Sequence, residues 1–149
     1  MANPDLRFLD RALYTLLAAN ADLTGELASY GGAPAIFSGF PVPAGAPLPR
    51  LVIGSIVGGG NDDRIDAVGR ELVKDIFLYF SADETQASAN PIDRIAEIAR
   101  GTLHNVDIPV SGWNCCGSAC GPVIVAPTDE NFFVGRTFSV LLKFHATTN

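Results

Sequence analysis

Apolar residues recur at the helical period in two segments of the chain. The first segment follows Asn3-Pro4-Asp5, which supplies a helix start signal, and Asn20 is expected to end it. Its apolar stripe consists of Leu6, Leu9, Leu13, Leu16 and Leu17. The pattern predicts an N-terminal helix, followed by a short helical turn over residues 22–29 that Gly25 weakens.

The second helix is predicted from about residue 91 to residue 104. Asn90 is a favourable N-cap, and Pro91 suits the first helical position because the N–H it lacks has no intrahelical partner there. The stripe expected to be buried consists of Ile92, Ile95, Ala96, Ile98, Ala99 and Leu103. The positions expected to face water are Asp93, Arg94, Glu97 and Arg100.

Alternating or continuous apolar positions predict the strands. The predicted segments are residues 35–37, 50–57, 68–80, 106–110, 122–126 and 132–146. In the strand 68–80, one set of alternate positions holds Leu72, Lys74, Ile76, Leu78 and Phe80, and the other holds Val73, Asp75, Phe77 and Tyr79. Neither face is clearly polar, so the face that the helices leave open is expected to need a neighbour. Gly135 is expected to bend or bulge the final strand.

Glycine and proline concentrate in two segments that are expected to be flexible loops. Residues 40–49 hold four prolines and Gly45, a density that prevents a long regular element. Residues 58–64 read Gly-Gly-Gly-Asn-Asp-Asp-Arg and predict an acidic hairpin loop. The element order is helix, loop, strands, helix and strands. It predicts an α+β fold, a two-layer sandwich of a mostly antiparallel or mixed β-sheet with two main helices on one face.

Composition and charge narrow the class of protein. Of 149 residues, 48% are hydrophobic and 17% are charged, which fits one domain over residues 1–149. The low charge suggests that part of the surface is hidden against partner subunits. A net charge of −6 without a basic cluster argues against specific nucleic-acid binding. We expect neither a membrane span nor a signal peptide, and we expect the cysteines to stay reduced in a cytoplasm.

Cys115, Cys116 and Cys120 are the candidates for metal chemistry. Cys116 and Cys120 have a spacing that suits zinc, and His104 or His145 could complete a ligand set. A closed structural site needs four converging ligands, and the chain offers no second cysteine pair. We therefore expect a loop with free thiols and no metal or other cofactor.

Catalytic motifs are missing from the sequence. A cysteine or serine nucleophile needs a nearby base, and both histidines are interpreted as charged or satisfied structural residues. The carboxylates of residues 62–66 do not fit a calcium loop, and residues 54–60 lack the lysine and hydroxyl residue of a phosphate-binding loop. We expect a protein that is not an enzyme, with a small cysteine- or metal-dependent enzyme as the alternative.

Six local patterns occur in an order that is similar to that of a known family. They are residues 11–23, the stretch Ile36-Phe37-Ser38-Gly39, residues 43–54 with a Pro-x-Gly-x-Pro loop leading into a strand, residues 76–81, the helix through Leu103, and residues 136–144. Together they resemble the tail terminator (tail completion) proteins of long-tailed bacteriophages and gene-transfer particles, over nearly the whole chain. Residues 113–121, which hold the cysteines, depart from that pattern.

The resemblance implies a structural virion protein, assembled in the host cytoplasm without a membrane. Such a protein forms a homo-oligomeric ring, commonly a hexamer, that caps the tail tube between the major tail tube protein and the head-completion (stopper) protein. DNA would pass through an acidic lumen without specific binding. The expected docking residues are Pro43, Gly45 and Pro47 in one loop, and Asn61, Asp62, Asp63, Arg64 and Asp66 in the other. Another neck component, such as the stopper itself, is the alternative.

Overall fold

The computed structural model describes residues 6–39, 41–61, 67–80, 90–110, 115–126 and 134–147. The helices among them are α1 (Leu6–Ala19), α2 (Ala21–Thr24) and α3 (Asn90–Leu103). The strands are β1 (Ser29–Tyr30), β2 (Ala33–Pro34), β3 (Ile36–Ser38), β4 (Arg50–Asn61), β5 (Ala67–Phe80), β6 (Cys115–Cys120), β7 (Ile124–Ala126) and β8 (Val134–Thr147).

Six of these strands form one mixed sheet in the order β3-β4-β5-β8-β6, with β7 also paired to β8. The β3–β4 pair is parallel, and the other pairs in this sheet are antiparallel. The pair β1 and β2 forms a separate two-stranded ribbon. With both long helices packed into one core, the arrangement confirms the predicted α+β sandwich.

The helical stripes and one face of the sheet meet in a single hydrophobic core. Leu9, Leu13 and Leu17 of α1 are fully buried, as the spacing predicts. The core members from α3 are Ile92, Ile95, Ala96, Ala99 and Leu103. Those from β5 and β8 are Leu72, Ile76, Leu78, Phe80, Phe138, Val140, Leu142 and Phe144. Burying one such side chain contributes on the order of 1.5–3 kcal/mol, so this layer contact supplies the main driving force for the fold.

One charged side chain lies within that apolar layer. Lys74 occupies a core-facing position of β5 between Leu72 and Ile76 and is buried. Its Nζ donates to Oδ1 of Asp10 on α1, a side chain that is partly exposed. A buried ammonium is tolerated only with a paired charge, so this ion pair fixes how α1 sits across the sheet.

Asn20 does more than end the first helix. Its side-chain Oδ1 accepts hydrogen bonds from the N–H groups of Asp22 at 3.0 Å and Leu23 at 3.3 Å, which makes it the N-cap of α2. Its Nδ2 donates to Oγ1 of Thr102 on α3 at 2.8 Å. The second helical segment, α2, is therefore one turn long rather than spanning residues 22–29 as predicted. Asn20 links its start both to the end of α1 and to α3.

Gly135 does not bulge the final strand, contrary to the prediction. The β5–β8 ladder runs without a register shift from Ala67 opposite Thr147 to Phe80 opposite Val134. The irregularities lie in β4, between Ile53 and Gly58. A Cβ at Gly135 would come within 2.9 Å of the Ala126 Cβ and 3.2 Å of the Tyr79 ring. The glycine is needed for close packing between strands.

The sheet face opposite the core is partly covered by its own side chains. The rings of Phe77 and Tyr79 stack at 6.2 Å, and the Arg50 guanidinium lies 5.8 Å from the centre of the Tyr79 ring. Ser139 Oγ donates to Oδ1 of Asp75 at 2.7 Å. This face is mixed, with apolar positions between paired polar ones, which is less apolar than the sequence suggested. Among the described helices, none is long and apolar enough to cross a membrane.

We expect removal of the two partners of the buried ion pair to have unequal effects. Asp10→Asn leaves the Lys74 ammonium buried without a countercharge and should lower the free energy of unfolding by about 3 kcal/mol. Lys74→Met removes the charge and fills the space, and should change it by less than about 1 kcal/mol.

Urea denaturation of the two single variants and of the double variant measures these changes in the free energy of unfolding. In the Lys74→Met background, Asp10→Asn should cost little, because no buried charge remains to be stranded. Equal losses in the two single variants would contradict the assignment of Lys74 as a charge that depends on Asp10.

Candidate docking surfaces

The proline-rich segment before β4 is held by its own hydrogen bonds. Ala46 donates its N–H to the Pro43 carbonyl at 3.1 Å, and Gly45, at the third position of this turn, has a φ of 76° that favours glycine. Arg50 Nη1 donates to the Ala46 carbonyl at 3.1 Å. The peptide bond before Pro49 is cis. Pro43 and Gly45 are exposed and Pro47 is half-buried, so this loop, predicted to be flexible, presents a defined turn at the surface.

The loop predicted over residues 58–64 does not begin where expected, because Gly58 to Asn61 continue β4. Gly59 lies opposite Leu72, and Asn61 lies opposite Arg70. A Cβ at Gly59 would come 2.5 Å from the Glu71 carbonyl oxygen, so glycine is required for this pairing. The strand prediction stopped at residue 57 because three consecutive glycines favour a turn. Asp62, Asp63, Arg64 and Asp66 lie outside the described residues.

The cysteine segment is a strand, where the sequence predicted a loop. Cys115 lies opposite His145, Cys116 opposite Phe144 and Cys120 opposite Val140. In an extended strand, Cα atoms four residues apart are separated by roughly 13 Å. The backbone therefore holds positions 116 and 120 too far apart for both thiolates to reach one zinc ion at about 2.3 Å.

The two histidines have separate positions. His104 accepts the Cys120 N–H at Nδ1, at 2.9 Å, which confirms it as a satisfied structural histidine. His145 is half-buried on β8, opposite Gly69 as well as Cys115. Within the described part of the chain, no group of three or more His, Cys, Asp or Glu side chains is placed to hold a metal ion.

The end of α3 holds β6 against the domain through a set of polar contacts. Ser118 is buried, and its Oγ donates to the Leu103 carbonyl and accepts the Val106 N–H at 3.1 Å. Asn105, in the left-handed conformation at a φ of 53°, donates its N–H to the Ser118 carbonyl at 3.0 Å. These bonds satisfy backbone groups that a helix end would otherwise leave unpaired.

Arg100 belongs to the same set of contacts. Its Nε donates to the Gly121 carbonyl at 2.7 Å and its Nη2 to the Cys120 carbonyl at 3.0 Å. The sequence placed Arg100 on the water-facing side of its helix, and the structure half-buries it. We call the contacts from Arg100, Leu103, His104, Asn105 and Val106 to β6 the α3–β6 clamp. The sequence prediction missed it because it missed the strand that receives these bonds.

Cys120 is a buried, free thiol next to the clamp. Burial raises the pKa of this thiol from 9.0 to about 11, although the nearby Arg100 charge lowers it. The neutral thiol is a small apolar group at neutral pH and a poor nucleophile. This environment suits packing rather than catalysis.

Exposed apolar side chains mark the remaining candidate surfaces. Among the described residues, the large exposed ones are Phe8, Tyr30, Val57, Ile124 and Val125. Phe8 borders a groove of about 350 Å³ that Leu16 and Pro109 also line. A smaller depression of about 210 Å³ lies between β6 and β8, lined by Ala119, Leu141 and Lys143. The exposure of Val57, Ile124 and Val125 could not be predicted from the sequence, because it depends on which strands remain unpaired.

Comparison with known proteins shows the fold and leaves the family open. No family model matches the chain, and no curated protein matches its sequence. Among solved structures, a chain of the "Virion of native gene transfer agent (GTA) particle" is similar, with a TM-score of 0.66 and 17% sequence identity. The match covers 94% of this chain and 95% of that chain. Nearly the entire fold is therefore shared with a protein of that particle.

We expect Ser118→Ala to loosen β6 specifically. The change leaves the Val106 N–H without its acceptor and removes a bond to the Leu103 carbonyl, which should cost about 1–3 kcal/mol. Hydrogen exchange should rise over residues 103–106 and 115–120, and stay unchanged at the β4–β5 ladder. Ser139→Ala, which removes an exposed hydroxyl bond on the other sheet face, is the matched control. Equal exchange changes across the whole sheet would contradict a local clamp.

We expect Cys120 to react slowly and to make stability depend on pH. In a Cys115→Ser, Cys116→Ser variant, alkylation at pH 8 should be roughly 100-fold slower in the folded chain than in urea, since the folded pKa is about 11 against 9.0. The fold favours the neutral thiol, so its stabilising contribution is complete below pH 9.0 and is lost as the pH rises towards 11.

The stability difference between this variant and the same variant carrying Cys120→Ala reports that loss. It should fall between pH 9 and pH 11, and stay constant between pH 6 and pH 8. A difference that does not change up to pH 11 would show that the thiol keeps its ordinary pKa in the fold.

Proposed function

We propose that this protein is a structural component of a phage-like or gene-transfer particle, and specifically the ring-forming tail terminator that closes the tail tube and joins it to the neck. The fold match over 94% of this chain and 95% of a gene transfer agent virion chain carries the proposal, because nearly the whole fold is shared with a protein of that particle. The order of local sequence patterns, which resembles that of tail terminators, supports the finer role.

The chemistry of the surface is consistent with that role. The described residues hold no metal cluster, and the buried thiol and His104 serve packing. A net charge of −6 disfavours adhesion to DNA phosphates, which suits a ring through which DNA passes. The defined turn around Pro43 and Gly45, with the neighbouring Pro47, is the proposed contact with the tail tube or the neck, as is the hairpin that carries Asn61.

A ring, a tube contact and a neck contact are the three parts of the proposal. A homo-oligomer, with a hexamer as the expected size, would place one copy over each subunit of a six-fold tube. The major tail tube protein and the stopper protein would then bind opposite faces of the ring. The virion location and assembly in the host cytoplasm follow from this role.

Deletion of the gene tests the proposed role against its closest alternative. Without a cap, tube growth has no stop, so we expect overlong tubes and heads that lack tails, visible by negative-stain electron microscopy. Supplying the protein in trans should restore tails of uniform length. A stopper defect gives the opposite result, since tubes then reach normal length while filled heads lose DNA. Tubes of normal length in the deletion strain would therefore reject the terminator role.

A further inference from the structure

The two long edges of the sheet are protected unequally. Beside β6, the edge is closed, because Asn105 and His104 bond its outward backbone groups and Asp107 bridges to Gly117. Beside the start of β4, β3 pairs as far as Ile53. In the described part of the chain, β4 beyond Ile53 pairs only with β5, and β7 pairs only with β8. Open strand edges readily recruit another strand.

Exposed apolar side chains lie on these two open segments. Val57 on β4 is 60% exposed, and Ile124 and Val125 on β7 are 58% and 67% exposed. They are three of the five large hydrophobic side chains that are exposed among the described residues. Monomeric proteins usually protect open edges with charge or proline, and here the edges carry valine and isoleucine.

The open segments lie at opposite edges of one sheet. The pair β5 and β8 lies in the middle, with β4 next to β5 and β7 next to β8. An interface between β4 of one copy and β7 of the next joins two different surfaces. The two end copies of such a row then each keep one open edge, to which a further copy can be added. Such a heterologous interface closes into a ring when the rotation between copies allows it.

We propose that residues 55–61 of β4 pair with β7 of the next copy, so that the ring is joined through strand edges. This inference rests on the proposed ring function and names the surfaces that close the ring. β7 runs antiparallel to β8, and β8 runs antiparallel to β5, as β4 does. In copies related by rotation about an axis along the strands, β4 and β7 therefore meet antiparallel.

The glycines of β4 suit this pairing. Gly58, Gly59 and Gly60 continue the strand beyond Val57. A Cβ at Gly60, which would project from a face of the sheet, would meet no atom within 4 Å, so the described residues leave the sheet face open at this position. Glycine in a strand commonly marks a place where a second backbone approaches closely.

The open segments of β4 and β7 are offset from each other along the strand direction, and this offset also fits a ring of tilted strands. Val57 is level with Lys74 and Val73 on β5, whereas Val125 is level with Leu78, which is four to five residues further along. That is roughly 13–17 Å at the rise of a strand. The path from β4 to β7 crosses four strands, β4, β5, β8 and β7. Four strands about 4.8 Å apart, tilted by about 35° as in closed barrels, displace the next copy by about 13 Å along the strand direction.

Two charge variants and their mixture test the proposal. Val57→Lys blocks the β4 edge and Val125→Lys blocks the β7 edge, and the matched control is Phe8→Lys, which changes an exposed residue on α1. Oligomeric state is measured by native mass spectrometry over a concentration series, on the full chain alone and with purified tail tubes. We expect the control to form the wild-type ring and each edge variant to remain monomeric.

The mixture of the two edge variants distinguishes a head-to-tail junction from a symmetric one. One copy then offers an intact β4 edge and the other an intact β7 edge, so assembly should stop at a 1:1 heterodimer. Rings formed by either edge variant, a mixture that grows beyond dimers, or a mixture that stays monomeric at 100-fold the concentration of ring formation would overturn the inference. In those cases a wild-type ring still upholds the proposed function. A wild type that stays monomeric even on tail tubes rejects both.

Discussion

The unbroken ladder between β5 and β8 is the constraint on which the other contacts depend. Fourteen residues of each strand pair without a register shift, from Ala67 with Thr147 to Phe80 with Val134. A shift of one residue would turn every core side chain of a strand to the opposite face. The helices, the ion pair and the α3–β6 clamp all contact positions that this register sets, so the fold requires two strands distant in the chain to find one alignment.

The sequence predicted the elements that bury a regular stripe. Leu9, Leu13 and Leu17 are spaced so that a helix must bury them together, and the alternation along β5 assigns its core face correctly. Lys74 could be placed on that face from sequence, but its partner Asp10 lies 64 residues away and is found only in three dimensions. Tertiary partners of this kind leave no local pattern.

The sequence predicted one strand that does not form and missed another that does. Residues 106–110 alternate like a strand, but Pro109 lacks an N–H for a ladder, and the segment instead buries Ile108 and Val110 with a single bridge at Asp107. β6, with small residues and three cysteines, has little intrinsic preference for a strand. Its conformation is imposed by β8 on one side and the clamp on the other. The proline loop could be selected from sequence by its density of proline and glycine, whereas the exposure of the edge residues depends on the sheet order.

The burial of Cys120 has a consequence for the conditions the protein can tolerate. Oxidation of a cysteine proceeds through its thiolate and requires access, and this side chain offers little of either. The thiol that contributes to the core should therefore remain intact in an oxidising medium as it does in a reducing one. The packing that Cys120 contributes then does not depend on the redox state of the surroundings, so the same core contact holds in a reducing and in an oxidising medium.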